Sequence, residues 1–243
     1  MANLREIVNR LKEIKSKLTK GQFTFIVFTA SIGIAQCGYK AYDYKIKLDS
    51  RRVSKDYLLE DSDYFLGNKK AKTELYIVGD TTCTHCASKY TCLQQLQQQD
   101  YFKNGKLKII FKTIPSNLIS FRVQQILLCA VKNSEAYYKI LSTIFENQRN
   151  IILNEQDELK PVNEIVNTLD AYVVKTGIIT QSEIERCLTD DKIKNQVIEN
   201  TQDVIKKFEI SAVPVLYVNG IKINAFSCEQ IKNAVEENIK KIN

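Results

Sequence analysis

The run Glu74 to Val78 (ELYIV) is apolar after its first residue, partly β-branched, and ends in Gly79-Asp80, which predicts a buried strand stopping at a turn. Beyond Cys86 neither Gly nor Pro occurs until Asn104-Gly105. A helix is therefore expected from Cys83 to about Asp100, with Asn104-Gly105 turning the chain into a second strand, Leu107 to Lys112. A long helical stretch follows, from Asn117 to Glu209. It is punctuated at Pro161 and Gly177, and only Tyr172-Val173-Val174 within it reads as strand-like. Thr180 and Glu183 have capping-box spacing and mark a helix start. Val215 to Val218, Asn219-Gly220 and Ile221 to Ile223 form a hairpin pattern, because Asn-Gly supplies the positive backbone angles of a two-residue turn. Ser227 and Gln230 repeat the capping spacing before a last helix, with Ile231, Val235 and Ile239 on one face. The order is βαβ, a helical block, then ββα. The glutamine cluster Gln94 to Gln99 reads as a solvated helix face, and no internal repeat is visible.

Composition adds bounds. With 44% hydrophobic and 26% charged residues in 243, the bulk of the chain is globular rather than disordered. Of the net charge of +7, residues 1 to 35 carry +4, from six Lys/Arg against two Glu, and the remainder shows no basic stripe of the kind nucleic acid requires. Those residues read as an export signal: a cationic segment from Arg5 to Lys20 runs into the apolar stretch Phe23 to Ala35, then polar sequence resumes at Lys40. Cleavage after Ala35 is one fate. An uncleaved inner-membrane anchor over residues 21–36 is another, and lipidation of Cys37 a third, although Gln36 is large for a lipoprotein box. A buried core helix is the plainer alternative. Residues 36–62 are tyrosine-, lysine- and aspartate-rich without a sustained period and read as a linker, so the domain is placed at 63–243.

The chemistry concentrates at Cys83-Thr84-His85-Cys86, where a buried strand hands over to a helix. Free backbone N–H groups and the positive end of the helix dipole favour a thiolate there, the nucleophile of disulfide exchange. Two cysteines three apart on a first helical turn can close a disulfide with little backbone movement. His85, the chain's only histidine, lies between the two in sequence; as a cation it would stabilise the Cys83 thiolate and make the disulfide a stronger oxidant. A zinc half-site is the competing reading of such a pair, but no second pair with ligand spacing follows. Cys92 is turned about 240° from Cys86 on an ideal helix. Haem attachment needs histidine directly after the second cysteine, where Ala87 stands. No metal is therefore expected, and no cofactor beyond the Cys83-Cys86 disulfide itself. Cys92 and Cys228 read as packing residues.

Together these features resemble the DsbA-related branch of thioredoxin-like thiol:disulfide oxidoreductases, from about Asp63 to Lys241. The Cys83–Cys86 centre is similar to that branch's cysteine-proline-histidine-cysteine, with Thr84 replacing proline. Lys108 to Pro115 (KIIFKTIP) resembles the strand after the first helix, and Phe145-Glu146-Asn147-Gln148 a helix end in the inserted domain. Ser211 to Val215 followed by Val218-Asn219-Gly220 resembles the cis-proline loop and its hairpin. The resemblance implies an α/β thioredoxin fold with a helical domain, residues 117–209, inserted between the second strand and the cis-Pro loop. It implies that Pro214 is cis and faces the cysteine pair, and that Val213 offers backbone to an extended substrate; a trans proline opening an edge strand is the alternative. Relatives sometimes bridge positions like Cys129 and Cys187; two free buried cysteines are the other reading. One departure is Ile77, where relatives often carry a buried glutamate; Asp80 or water would then handle the Cys86 proton.

The function implied is a monomeric periplasmic oxidase that passes its disulfide to unfolded exported proteins with free thiols and is reoxidised by a membrane-bound oxidase. A reductase or isomerase on the same fold is one alternative. A membrane-tethered binding or chaperone module with structural cysteines is another.

Overall fold

The computed structural model describes residues 64–242; the leader, Cys37 and the 36–62 linker lie outside the described residues. Five strands form one sheet in the order β1-β3-β2-β4-β5: β1 (Leu66–Gly67), β2 (Thr73–Gly79), β3 (Leu107–Thr113), β4 (Val215–Val218) and β5 (Ile221–Ile223). Central β2 runs parallel to β3, with Ile77 opposite Phe111, and antiparallel to β4, with Val78 opposite Val215. The parallel pair needs a crossover, supplied by α1 (Thr84–Gln97) and the short α2 (Asp100–Lys103). Strand β1 was not anticipated: two residues are too few for alternation to be visible, and only pairing with Lys108 and Ile109 defines it.

Between β3 and β4 lies the helical block: α3 (Leu118–Ala130), α4 (Ser134–Glu146), α5 (Gln148–Ile152), α6 (Val162–Lys175), α7 (Gln181–Thr189) and α8 (Asp191–Lys207). This is the thioredoxin arrangement with a helical insertion, closed by α9 (Cys228–Ile242). Tyr172-Val173-Val174 is helical, part of α6. Ile165, Leu169 and Val173 recur every four residues and are all buried, so the 3.6-residue period prevails over local β-branching. Thr180 completes the capping box its spacing predicts at the start of α7, and Asn117 completes a second one with Ser120 at α3 that was not anticipated. Asn219 and Gly220 both take positive φ in the hairpin, and the Asn219 side chain accepts from the Glu74 N–H at 2.7 Å, docking the turn onto β2.

Strand alternation divides the core. Leu75, Ile77, Ile109 and Phe111 face α1, α9 and much of the insert in one large cluster, while Tyr76, Val78, Ile110 and Tyr217 face Val204 on α8 and Phe208 just beyond it. The large cluster is continuous between sheet and insert. Tyr90 of α1 stacks on Phe145 of α4 at 4.7 Å between centroids and meets Phe111 edge-on at 5.5 Å. Two disulfides brace these layers. Cys129–Cys187 joins α3 to α7 with Cα atoms 5.8 Å apart, and Cys92–Cys228 joins α1 to α9 at 5.1 Å. The second corrects the reading of Cys92 and Cys228 as packing residues: the angle that turns Cys92 away from Cys86 turns it towards α9.

Candidate redox site at the head of the first helix

Strand β2 ends at Gly79, where neither the Phe111 ring of β3 nor the following helix leaves room for a side chain. A Cβ at Gly79 would lie 2.7 Å from Phe111 Cζ and 3.2 Å from Cys86 Sγ. The chain then turns through Asp80 to Cys83, which is the N-cap of α1. Cys83 Sγ accepts from the Cys86 N–H at 3.4 Å, so a thiolate there would sit against the unpaired first-turn amides and the positive end of the helix. The two sulfurs differ. Cys83 is partly exposed and Cys86 is fully buried; both are free thiols. Burial pushes the Cys86 thiol well above its ordinary value, and proximity to Cys83 pushes it further, against a counteracting N–H from Asp80 that reaches Cys86 Sγ at 3.3 Å. Cys83 is thus the accessible sulfur and Cys86 the protonated, shielded one.

Asp80 is fully buried, but its carboxylate is directed at the loops rather than at Cys86. One oxygen accepts from the Thr82 N–H and hydroxyl, both at 2.6 Å, and the other from the Ser116 N–H and hydroxyl, both at 2.7 Å. Burial alone would raise the Asp80 carboxyl; hydrogen bonds from Thr82, Ser116 and Ser120 outweigh it and hold the group below the usual carboxylate range. With both oxygens committed, Asp80 acts as a fixed anion that ties the redox loop to the β3–α3 loop. Asn117 extends the tie by donating to the Thr82 hydroxyl at 2.7 Å. Ile77, the departure noted in the sequence, is buried hydrocarbon paired with Phe111 on one side and Leu216 on the other.

His85 is exposed in the first turn of α1. The Val213-Pro214 bond is cis, and both residues are half-buried. Because Val215 pairs with Val78, the cis bond lies at the end of the sheet from which β2 runs to the cysteines. Cys129 and Cys187 are bonded to each other within the insert, whereas Cys83 and Cys86 are the free thiols. No three His, Cys, Asp or Glu side chains among the described residues gather as a metal site would require.

The sequence reading missed Gln148 as a contributor. It is buried at the start of α5, and its amide nitrogen donates to the Thr81 carbonyl at 2.9 Å and the Cys83 carbonyl at 3.3 Å. It is the last residue of the Phe145–Gln148 motif, read only as a helix end; 65 residues separate it from Cys83, and no local pattern signals the contact.

The chain matches the family model described as Thioredoxin over residues 60–237. Among curated proteins it is similar to a Rickettsia bellii protein that carries the name protein-disulfide oxidoreductase, 24% identical over 76% of this chain and 67% of the relative. A Rickettsia conorii protein of the same name is 27% identical over 77% of this chain and 64% of its own length. The chain therefore spans about two-thirds of these relatives. Among solved structures, Wolbachia pipientis alpha-DsbA1 superposes with a TM-score of 0.64 at 20% identity, covering 77% of this chain and 96% of that one. Bacillus subtilis BdbD in its oxidised form gives 0.57 at 21%, covering 73% and 93%. These two structural likenesses speak to the fold.

Proposed function

The chain belongs to the thioredoxin family, and on that premise we propose that it is a thiol:disulfide oxidoreductase acting as a disulfide donor to exported proteins. The observation that carries this reading is the asymmetry of the pair: an accessible Cys83 capping α1 and a buried Cys86 held as thiol. In the forward step a substrate thiolate attacks Cys83 Sγ of the Cys83–Cys86 disulfide. That bond breaks, the substrate–Cys83 bond forms, and Cys86 leaves and takes up a proton. A second substrate thiolate then attacks the substrate sulfur of the mixed disulfide, its own disulfide closes, and Cys83 departs as thiolate. Substrate loses two electrons and the pair gains them. The names of the Rickettsia relatives support the same chemistry.

His85, exposed beside the cysteines, favours the thiolate product when cationic, and the backbone at Val213 and cis-Pro214 receives an extended substrate strand at the end of the sheet nearest the pair. The setting that fits is the periplasm, with unfolded thiol-bearing proteins as substrates, a membrane-bound oxidase restoring the disulfide, and the chain acting as a monomer. Two disulfides outside the redox pair agree with an oxidising compartment.

Equilibration of the Cys83–Cys86 pair against glutathione buffers tests the direction of electron flow. A potential near about −120 mV supports donation, whereas one near about −270 mV makes the protein a reductase. In a substrate-oxidation assay Cys83→Ser is expected to be inactive, and Cys86→Ser to accumulate mixed disulfides on Cys83. Full activity of Cys83→Ser would refute the mechanism.

A further inference from the structure

The redox loop is held from two sides. On the sheet side the Asp80 carboxylate ties Thr82 to Ser116. On the other side the tie comes from the insert, through the Gln148 amide, which donates to both the Thr81 and the Cys83 carbonyls. The Cys83 carbonyl also accepts the first helical N–H of α1, from Ala87 at 3.0 Å. It therefore receives two donors, one from its own helix and one from the inserted domain.

That second donor bears on the sulfur. The Cys83 carbonyl belongs to the same residue as Cys83 Sγ, and each N–H it accepts offsets the negative end of that dipole. Holding that oxygen towards the insert also fixes the peptide plane that follows, which leads towards the Cys86 N–H bonded to Cys83 Sγ. A thiolate responds to both effects, whereas the neutral sulfur of a disulfide responds to neither strongly. Gln148 thus acts on the reduced form more than on the oxidised one. Thr81 adds a structural constraint, since its carbonyl is buried with the residue and would lose this donor if Gln148 were removed.

We propose that Gln148 is a positioning residue through which the helical insert sets the oxidising strength of the Cys83–Cys86 pair. The inference rests on the donor reading given above. It also gives the insert a role in the redox chemistry: a shift of α4 and α5 relative to α1 is transmitted to the redox loop through the Gln148 side chain. Gln148 bonds the backbone of the redox loop rather than its sulfurs, so its effect appears in the equilibrium of the pair.

The test compares the full chain with Gln148→Met, which keeps length and removes both donors, and Gln148→Glu, which keeps shape but presents an anion to two carbonyl oxygens. Each is equilibrated with glutathione at neutral pH, and alkylation of Cys83 is timed alongside. For Gln148→Met the equilibrium is expected to move about tenfold towards the disulfide, equivalent to a potential about 30 mV more negative, with slower alkylation of Cys83. Gln148→Glu is expected to move further in the same direction. Chemical unfolding of each variant separates a loss of stability from this effect. If both variants keep the wild-type equilibrium within about twofold while only the unfolding midpoint falls, Gln148 is merely structural and the proposal is overturned. If the wild-type pair shows no reversible equilibrium with glutathione, the donor reading fails and this inference falls with it.

Discussion

Gly79 and Asp80 illustrate how single residues create the site. Gly79 is required for close approach rather than for an unusual backbone angle, because any Cβ there intrudes on Phe111 and Cys86. Gly79→Ala is expected to destabilise the protein by about 1–3 kcal/mol, as overpacking typically does; a melting temperature equal to that of the wild type would show that Phe111 gives way freely. Asp80 contributes as an anion. Its carboxyl is held below its unfolded value of about 3.9, so its contribution is complete above that pH and is lost as pH falls through the lower folded value. Asp80→Asn is expected to cost roughly 2–3 kcal/mol at neutral pH, from charge-assisted hydrogen bonds replaced by an amide facing four donors. Urea unfolding from pH 7 to pH 3 should show the gap between variant and wild type narrowing in acid. A gap that stays constant would locate the effect elsewhere than the charge. The cysteine pair was legible because local order carries it: strand, turn, N-cap and second sulfur lie within a dozen residues. Asp80's partners were not, since Ser116 reaches it only after the β3–α3 loop folds back across 36 positions.

At the scale of elements, helix α1 is the most constrained segment. Its N-terminus carries Cys83, its middle stacks Tyr90 on Phe145, and its third turn is bonded covalently to the head of α9 through Cys92–Cys228. Lys89 adds a link by donating to the Phe226 carbonyl at 2.6 Å, two residues before Cys228. The double variant Cys92→Ser/Cys228→Ser removes a bridge spanning 136 positions and is expected to cost roughly 2–4 kcal/mol. Because the bridge holds the far turns of α1 and not its N-cap, glutathione equilibration should find the redox pair little changed. A large change in that equilibrium would mean that α9 braces the redox loop itself. The helices of the insert were visible in sequence as a run without strand alternation. Their number and ends depended on caps such as Asn117 and Thr180, of which only the second was identified from spacing. The Tyr172–Val174 segment shows the limit of short windows: three β-favouring residues carry less weight than an apolar face that repeats over α6.

For the molecule as a whole, sheet and insert share one hydrophobic cluster, joined at α1, α4 and β3. Such a core should unfold as a unit. Calorimetry of the oxidised protein is expected to give a single transition whose calorimetric and van't Hoff enthalpies agree; two resolved transitions would make the insert an independent domain, and with it a poor lever on the redox loop. Local sequence determined the strands that alternate or run apolar, the Asn-Gly hairpin, the last helix, and a cysteine pair placed at a helix head, because each of these is encoded within a few residues by periodicity, turn chemistry or capping. Tertiary structure alone decided that Cys92 meets Cys228, that Asp80 spends both oxygens on loops instead of on Cys86, and that Gln148 grips the Cys83 carbonyl. Each of those is a contact between distant segments, and only the close packing of sheet, insert and α9 fixes which side chains the fold brings within hydrogen-bonding or covalent reach.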